Sequence, residues 1–191
     1  MAPNANSVNI EKKSYHHGDL RAALIAEGLR LLAEHQADSL SLRELARRVG
    51  VSAPSVYRHF PDKEALMTAL AEEGLRQLAA DQHEASDAAG GGEAGFAATG
   101  RAYVRFALAN PALFRLIFTS PVIARYRRNN AEQPEAMTFL LANAAASAGA
   151  EQGSPEARRA AIEAWALVHG LAMLILDGQL PADDAMIDAI C

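Results

Sequence analysis

The chain has 191 residues, of which 50% are hydrophobic and 21% charged, and its formal net charge is −5 at pH 7. These values are typical of a soluble globular protein with one or two small domains. The sequence shows no uninterrupted apolar run of the roughly 20 residues that span a bilayer, no signal-peptide core and one cysteine, Cys191, which together predict a cytoplasmic protein without disulfides.

The charge is unevenly distributed along the chain. Residues 1–80 contain 10 Lys/Arg and 10 Asp/Glu, whereas residues 81–191 contain 8 and 13. Within residues 41–63, five basic side chains stand against two acidic ones, which gives a local charge of +3. A phosphate backbone responds to such a local basic face. The acidic total therefore does not exclude a nucleic-acid partner.

Helical patterns dominate, strand signals are almost absent, and the predicted fold class is all-α. Residues 1–14 are expected to form a flexible N-terminal arm. An apolar stripe at helical spacing predicts a first helix over residues 17–35. Ser41 and Glu44 form a capping-box pattern, which predicts reciprocal hydrogen bonds at the start of a second helix. That helix is expected to end at Gly50, because glycine tolerates the left-handed conformation.

A short third helix follows after a turn of two residues. Ser52 is a favourable N-cap, Pro54 fits the first turn, and Pro61 ends the helix, which predicts its span as about 53–60. Asp62 is expected to cap a longer amphipathic helix. The Gly/Ala-rich stretch over 87–95 then predicts a loop and a plausible domain boundary.

The second half contains several more helical segments. They are predicted over 95–109, from Pro111 to near Pro121, within VIARYRRNN, over 133–148, over 155–178 and over 182–190. These segments divide the chain into an N-terminal domain over 15–80 and a C-terminal domain over 81–191.

Two helices joined by a very short glycine-containing turn predict a helix-turn-helix, whose second helix enters the major groove of DNA. The apolar seam between the helices is predicted to contain Leu45, Ala46, Val49, Val51, Val56 and Phe60. On the outer face lie Ser52, Ala53, Ser55 and Arg58, with Tyr57, His59 and Lys63 placed to reach phosphates. A solvated helical hairpin is the simpler interpretation of a lone capping box, but the full combination favours DNA.

The stretch SLSLRELARRVGVSAPSVYRHFPDKEALMTAL closely resembles the DNA-binding region of TetR-like (tetracycline-repressor-like) transcriptional regulators, over about residues 15–70. The resemblance implies that the short third helix is the recognition helix. It implies that Arg43, Ala53, Pro54 and Ser55 face bases, and that Ser52, Tyr57, His59 and Lys63 meet phosphates.

A second resemblance lies in EAWALVHGLAMLILDGQL, where Trp165-x-x-x-His169-Gly170 is similar to a TetR-like subgroup named for its Trp-His-Gly signature. It implies a homodimer and a ligand pocket in the C-terminal domain. Aromatic and thioether side chains suit an apolar effector, although such stripes are often core or dimer seam. The candidate pocket residues are Tyr103, Phe106, Phe114, Phe118, Met137, Phe139, Trp165, His169 and Met173.

No residue pattern suggests an activated nucleophile or a phosphate cradle, and His16-His17 lacks further metal ligands. We therefore expect no enzyme, cofactor or metal, and no membrane partner. The sequence predicts a homodimeric regulator, a repressor that binds a palindromic double-stranded operator and is released by a small, largely apolar effector. Two alternatives remain open: a helical small-molecule-binding protein or enzyme without sequence-specific DNA binding, and a DNA-binding protein that answers to no ligand.

Overall fold

The structure, a computed structural model, describes residues 20–34, 40–123 and 133–191. Within these ranges it contains no strand, which confirms the all-α prediction. The helices are α1 Leu20–Glu34, α2 Leu42–Val49, α3 Ala53–Tyr57, α4 Lys63–Ala88, α5 Gly92–Ala109, α6 Pro111–Thr119, α7 Glu135–Ser147, α8 Pro155–Leu176 and α9 Asp184–Ile190. The predicted N-terminal arm, the two histidines at 16 and 17 and most of VIARYRRNN lie outside the described residues.

Helix α2 begins and ends where its capping residues predict. The Ser41 hydroxyl accepts a hydrogen bond from the Glu44 backbone N–H at 3.2 Å, and Gly50 closes the helix with a φ of 76°. The expected reciprocal bond does not form, because the Glu44 carboxylate instead accepts hydrogen bonds from Arg47 and Arg48. Hydrogen bonds between ionised partners are stronger than a bond to a neutral amide.

Replacing Gly50 is expected to destabilise this turn even though there is space for a side chain. A Cβ at Gly50 would meet no atom within 4 Å, so Gly50→Ala carries only the strain of a positive φ. We expect a loss of roughly 1 kcal/mol in the free energy of unfolding, measured by urea denaturation. Gly50→Asn should lose less, because asparagine tolerates this conformation. Equal stability of all three proteins would contradict the backbone argument.

Helix α3 is shorter than predicted, ending at Tyr57, with a turn that leads to Phe60. Ser52 occupies the N-cap position, but its hydroxyl makes no capping bond and lies 2.8 Å from the Ser55 hydroxyl. Asp62 caps α4 as predicted, since its carboxylate accepts a hydrogen bond from the Ala65 N–H at 2.7 Å.

The predicted seam is confirmed. Its four buried members are Leu45, Ala46, Val56 and Phe60, and its two partly buried members are Val49 and Val51. The same core cluster includes buried side chains of α1, α4, α5 and α6. The helix-turn-helix therefore packs on a continuous core rather than on an isolated three-helix unit.

Helix α4 passes through the expected boundary between residues 80 and 81. The Gly/Ala-rich loop shrinks to a tight turn over residues 89–91, where Gly90 and Gly91 have positive φ angles. Farther back on α4, a Cβ on Gly74 would lie 2.8 Å from the Leu113 Cδ1 and 2.9 Å from the Ile117 Cδ1. Glycine thus allows α4 and α6 to approach closely.

Helix α8 packs against α5 and α7 and carries an exposed apolar side. By length and composition alone it meets the criterion for a membrane-crossing helix, although only 22% of the apolar window is buried in the chain. No uninterrupted apolar run of this length is expected from the sequence, because Glu163 lies within the helix. One such helix is weak evidence for a membrane span, since helices of soluble proteins meet the same criterion.

Candidate nucleic-acid interface and apolar pocket

The predicted DNA-contacting side chains lie on α2, α3, the following turn and the first residue of α4. Those that the structure leaves exposed are Arg43, Ser52, Pro54, Tyr57, Arg58 and His59, while Ala53, Ser55 and Lys63 are partly buried. Tyr57 is 44% exposed even though its neighbour Val56 is fully buried. Helix α3 is therefore anchored in the core by Val56, and the aromatic side chain of Tyr57 faces outward.

A polar row follows the outer side of α3. The hydroxyls of Ser52 and Ser55 are 2.8 Å apart, and an Arg58 guanidinium N–H lies 3.4 Å from the Ser55 hydroxyl. Ala53 instead packs partly against the core. Hydroxyl and guanidinium groups are those that bind phosphates and base edges, so this row has the chemistry of a DNA contact.

Ion pairs within the protein engage Arg47 and Arg48, two basic side chains of the 41–63 segment. Arg48 donates hydrogen bonds to Glu34 of α1 at 2.6 Å and to Glu44 at 3.2 Å. The pKa of Glu44 is lowered to about 2, chiefly by the hydrogen bond from Arg47 and with a contribution from Arg48. The Arg48–Glu34 pair ties α2 to α1 and places an acidic group from outside the 41–63 segment beside the basic side chains of α2.

A cavity of about 190 Å³ lies among α4, α5, α7 and α8, beyond the helix-turn-helix. Four of the predicted ligand-binding side chains line it: Tyr103, Phe118, Met137 and Trp165. The other described residues of its wall are Leu75, Leu78, Gln82, Phe96, Ala97, Thr99, Gly100, Ile123, Pro134, Ala136, Leu140, Ala164, Leu167, Val168, Ile190 and Cys191. The wall is mostly apolar, which suits an apolar ligand.

Five predicted pocket residues are not in this wall. Phe106 and Phe114 are buried in the core, and Met173 packs partly buried against it. Phe139 stacks on His83, with ring centroids 4.0 Å apart. His169 lies behind the wall, where it is hydrogen-bonded to Tyr103 and its ring packs against Phe118 and Trp165. Aromatic type alone cannot separate these positions, because helix rotation decides which side chains face the core.

The wall residues that sequence reasoning missed are mainly small or aliphatic, and one is a polar side chain of α4. The continuation of the α4 apolar stripe beyond Leu75 was the available signal for Leu78 and Gln82. Alanines and glycines give no comparable sequence signal for a cavity wall, because their contribution is the absence of a large side chain. Their contribution is visible only when α5, α7 and α8 are packed together.

A partly buried hydrogen-bond chain joins α5 to α8 beside the cavity. Trp165 Nε1 donates to the Tyr103 hydroxyl at 3.2 Å, and that hydroxyl lies 2.8 Å from His169 Nδ1. Burial raises the pKa of Tyr103 and lowers the pKa of His169. Both shifts favour neutral groups, so the chain is satisfied when Tyr103 donates to an unprotonated Nδ1.

Comparison with known proteins accounts for both halves of this arrangement. Residues 24–70 match the family described as "Bacterial regulatory proteins, tetR family". Residues 96–190 match the family described as "Tetracyclin repressor-like, C-terminal domain". The chain is built from the two domains of the TetR family. The TetR helix-turn-helix comprises α1 to α3 and the start of α4. The TetR C-terminal domain supplies most of the cavity wall, and Leu75, Leu78 and Gln82 of α4 complete it.

Individual TetR relatives match different lengths of the chain. It is 47% identical over 57 residues to the tetracycline repressor protein class G of Vibrio anguillarum, which is 30% of this chain and 27% of that repressor. It is 33% identical over 105 residues to the HTH-type transcriptional regulator Rv1816 of Mycobacterium tuberculosis, which is 54% of this chain and 45% of the regulator. The chain thus spans less than half the length of these curated relatives.

A solved structure resembles the whole TetR arrangement. It is a protein with unknown function from Rhodococcus sp. RHA1, with 34% sequence identity and a TM-score of 0.73. The match covers 93% of this chain and 94% of that chain. The order and packing of the helices are therefore shared over nearly the full length.

Proposed function

We propose that this protein is a DNA-binding transcriptional regulator of the TetR type, a repressor that binds a palindromic operator as a homodimer and is released by a small, largely apolar effector. The observation that carries the proposal is the placement of α3, which buries Val56 completely and leaves Tyr57 44% exposed beside the Ser52–Ser55 row. A segment built only to fill a core would hide its aromatic ring. The relatives named as repressors and regulators support the same function.

In the proposed complex, α3 is the recognition helix and enters the major groove. Arg43 and Ser55 have side chains that can bond to base edges, with Pro54 and the small Ala53 allowing close approach of the helix. Ser52, Tyr57, His59 and Lys63 are the proposed phosphate contacts, and Arg58 beside Ser55 can serve either role. Phosphate contacts set the register of the protein, and base contacts set its sequence preference.

The homodimer is supported by an apolar stripe on α8. Ile162 is 63% exposed and Leu174 46% exposed, and both are large hydrophobic side chains on the exposed side of α8. Ala166 and Gly170 lie between them at intervals of four residues, and a Cβ on Gly170 would meet no atom of the described chain within 4 Å. Small residues flanked by large apolar ones allow a second helix to approach and bury the stripe.

A twofold pair would present two copies of α3 to DNA. Half-sites for such a pair lie about 34 Å apart, one turn of the double helix, which accounts for the proposed palindrome. Burial of the α8 stripe in this pair also explains the apolar exposure of α8 without a membrane. We accordingly propose a cytoplasmic location, as for the soluble regulators to which the chain is similar.

Effector response is proposed to pass through α4. This helix begins beside α3 at Lys63 and contributes Leu75, Leu78 and Gln82 to the cavity. The distance from Lys63 to Gln82 along the helix axis is roughly 29 Å at 1.5 Å per residue. A ligand that prefers a different tilt of α4 would change the spacing of the recognition helices, with a coupling free energy of about 1–3 kcal/mol.

Assignment to the Trp-His-Gly subgroup is part of the same proposal. It is supported by the way in which Trp165 and His169, one helical turn apart on α8, both contact the Tyr103 hydroxyl. The motif would then hold α5 against α8 at the edge of the ligand site, rather than contact the ligand through every one of its residues.

The alternative of a helical small-molecule-binding protein without DNA binding is favoured by one observation, the apolar cavity itself. DNase I footprinting on the DNA around the protein's own coding region separates the two. The proposal predicts protection of a short palindrome and its loss on addition of an effector found by a thermal-shift screen. Ligand binding without any protected sequence would favour the alternative, and protection that no ligand relieves would favour a DNA-binding protein that answers to no ligand.

A further inference from the structure

One side chain of the cavity wall carries a buried polar atom that has no hydrogen-bond partner among the described residues. The Gln82 side chain lies on α4 and the residue is only 8% exposed. Its Nε2 donates a hydrogen bond to the Thr99 carbonyl at 3.4 Å, but its Oε1 has no hydrogen-bond partner among the described residues. The Thr99 carbonyl oxygen can only accept a hydrogen bond, so the Gln82 amide must turn its N–H group toward it and its Oε1 away.

The hydroxyl and indole donors of the described wall are already engaged. The Thr99 hydroxyl donates to the Phe96 carbonyl at 2.7 Å, and Trp165 Nε1 donates to Tyr103. Tyr103 in turn faces His169. The polar group that lacks a partner is therefore an acceptor, and no donor side chain nearby is placed to satisfy it.

The described wall also lacks charged side chains. None of the described residues that line the cavity is Asp, Glu, Lys or Arg. A charged ligand would lose its hydration there without a side chain of opposite charge to replace it, which is costly. An uncharged ligand with a hydrogen-bond donor would instead relieve the cost of the unpaired Gln82 oxygen.

We propose that the effector is an uncharged, mostly apolar molecule that carries one hydroxyl or N–H donor, and that this donor binds Gln82 Oε1. This inference rests on the proposed ligand-binding function of the cavity and names its ligand class. Gln82 is then the residue that discriminates alcohols from ethers or hydrocarbons of the same shape. A site built around one polar partner rejects a ligand that leaves the partner unpaired.

The test uses two probes that differ in one donor, 4-tert-butylcyclohexanol and its methyl ether. The only tryptophan of the chain, Trp165, lies in the cavity wall, so its fluorescence reports binding at this site. We expect the wild-type protein to bind the alcohol about tenfold more tightly than the ether. Gln82→Leu should remove this preference by binding the two probes with similar affinity.

Gln77→Leu is the matched control, because it removes another amide of α4. The Gln77 side chain donates to Glu73 at 2.9 Å and lies outside the described cavity wall. This variant should keep the preference for the alcohol. Gln82→Leu should be at least as resistant to heat as the wild type, because it replaces an unpaired buried acceptor with an apolar group.

Equal affinity of the wild type for alcohol and ether would overturn the proposal. So would a preference that survives Gln82→Leu, or fluorescence that neither probe changes up to its solubility limit. The comparison needs no DNA. A wild-type protein that shows the alcohol preference but protects no operator would refute the regulator function and leave the Gln82 assignment standing.

Discussion

Replacing both Ile162 and Leu174 with glutamate is expected to produce a folded monomer whose affinity for the operator is at least about a hundredfold lower. The two side chains are 63% and 46% exposed, so the changes remove little burial within one chain. Across a twofold axis they would place like charges in an apolar contact and leave them without hydration. Loss of the second recognition helix removes the gain of about 10²–10⁴ that linked sites provide.

Analytical ultracentrifugation gives the oligomeric state, and a gel-shift titration gives the affinity. The matched control is the pair Ala33→Glu and Ala80→Glu, which adds the same charge at exposed positions of α1 and α4. The control protein should remain dimeric and bind the operator. A double α8 variant that is still a dimer, or a monomer that binds as tightly as the wild type, would contradict the assignment of the α8 stripe.

Lys63→Ala is expected to weaken binding to the operator and to unrelated DNA by a similar factor, about tenfold at low salt. Loss of one phosphate contact should also reduce the slope of log affinity against log salt concentration by about 1. Tyr57→Ala should weaken binding to both DNAs as well, because the exposed hydroxyl of α3 is proposed to meet a phosphate. Tyr57→Phe isolates the hydroxyl, since it keeps the ring.

Arg43→Ala is the contrasting variant, because Arg43 is proposed to face a base rather than a phosphate. It should reduce affinity for the operator more than affinity for a scrambled sequence, by about 1–3 kcal/mol of discrimination. Gel-shift titrations over a range of salt concentrations measure all of these quantities. Unchanged affinity and unchanged salt dependence of Lys63→Ala would show that this side chain does not meet a phosphate.

Local sequence accounts for the helix ends and for the exposed short helix α3. The capping contacts of Ser41, Gly50 and Asp62 are with residues three or four positions away. Their patterns therefore predict where α2 begins and ends and where α4 begins. The buried seam around Leu45 and Val56 follows from helical spacing in the same way. Such interactions are predictable because both partners are neighbours in the chain.

Partner choice over longer separations is less predictable. Glu44 has its capping partner nearby, yet its carboxylate binds Arg47 and Arg48. Arg48 also pairs with Glu34, fourteen residues away on another helix. Arg48, which the charge count included in the basic face, thus forms an ion pair that links α1 and α2.

The sequence by itself determined an all-α chain with a short, outward-facing helix after a tight glycine turn, because periodicity and turn chemistry are properties of neighbouring residues. Only the tertiary structure decided which aromatic rings fill the core and which line the cavity, and that α4 continues unbroken from Lys63 to Ala88. It also decided that Gln82 would be buried with an unpaired oxygen. These outcomes depend on how whole helices rotate and approach one another, which no local pattern specifies.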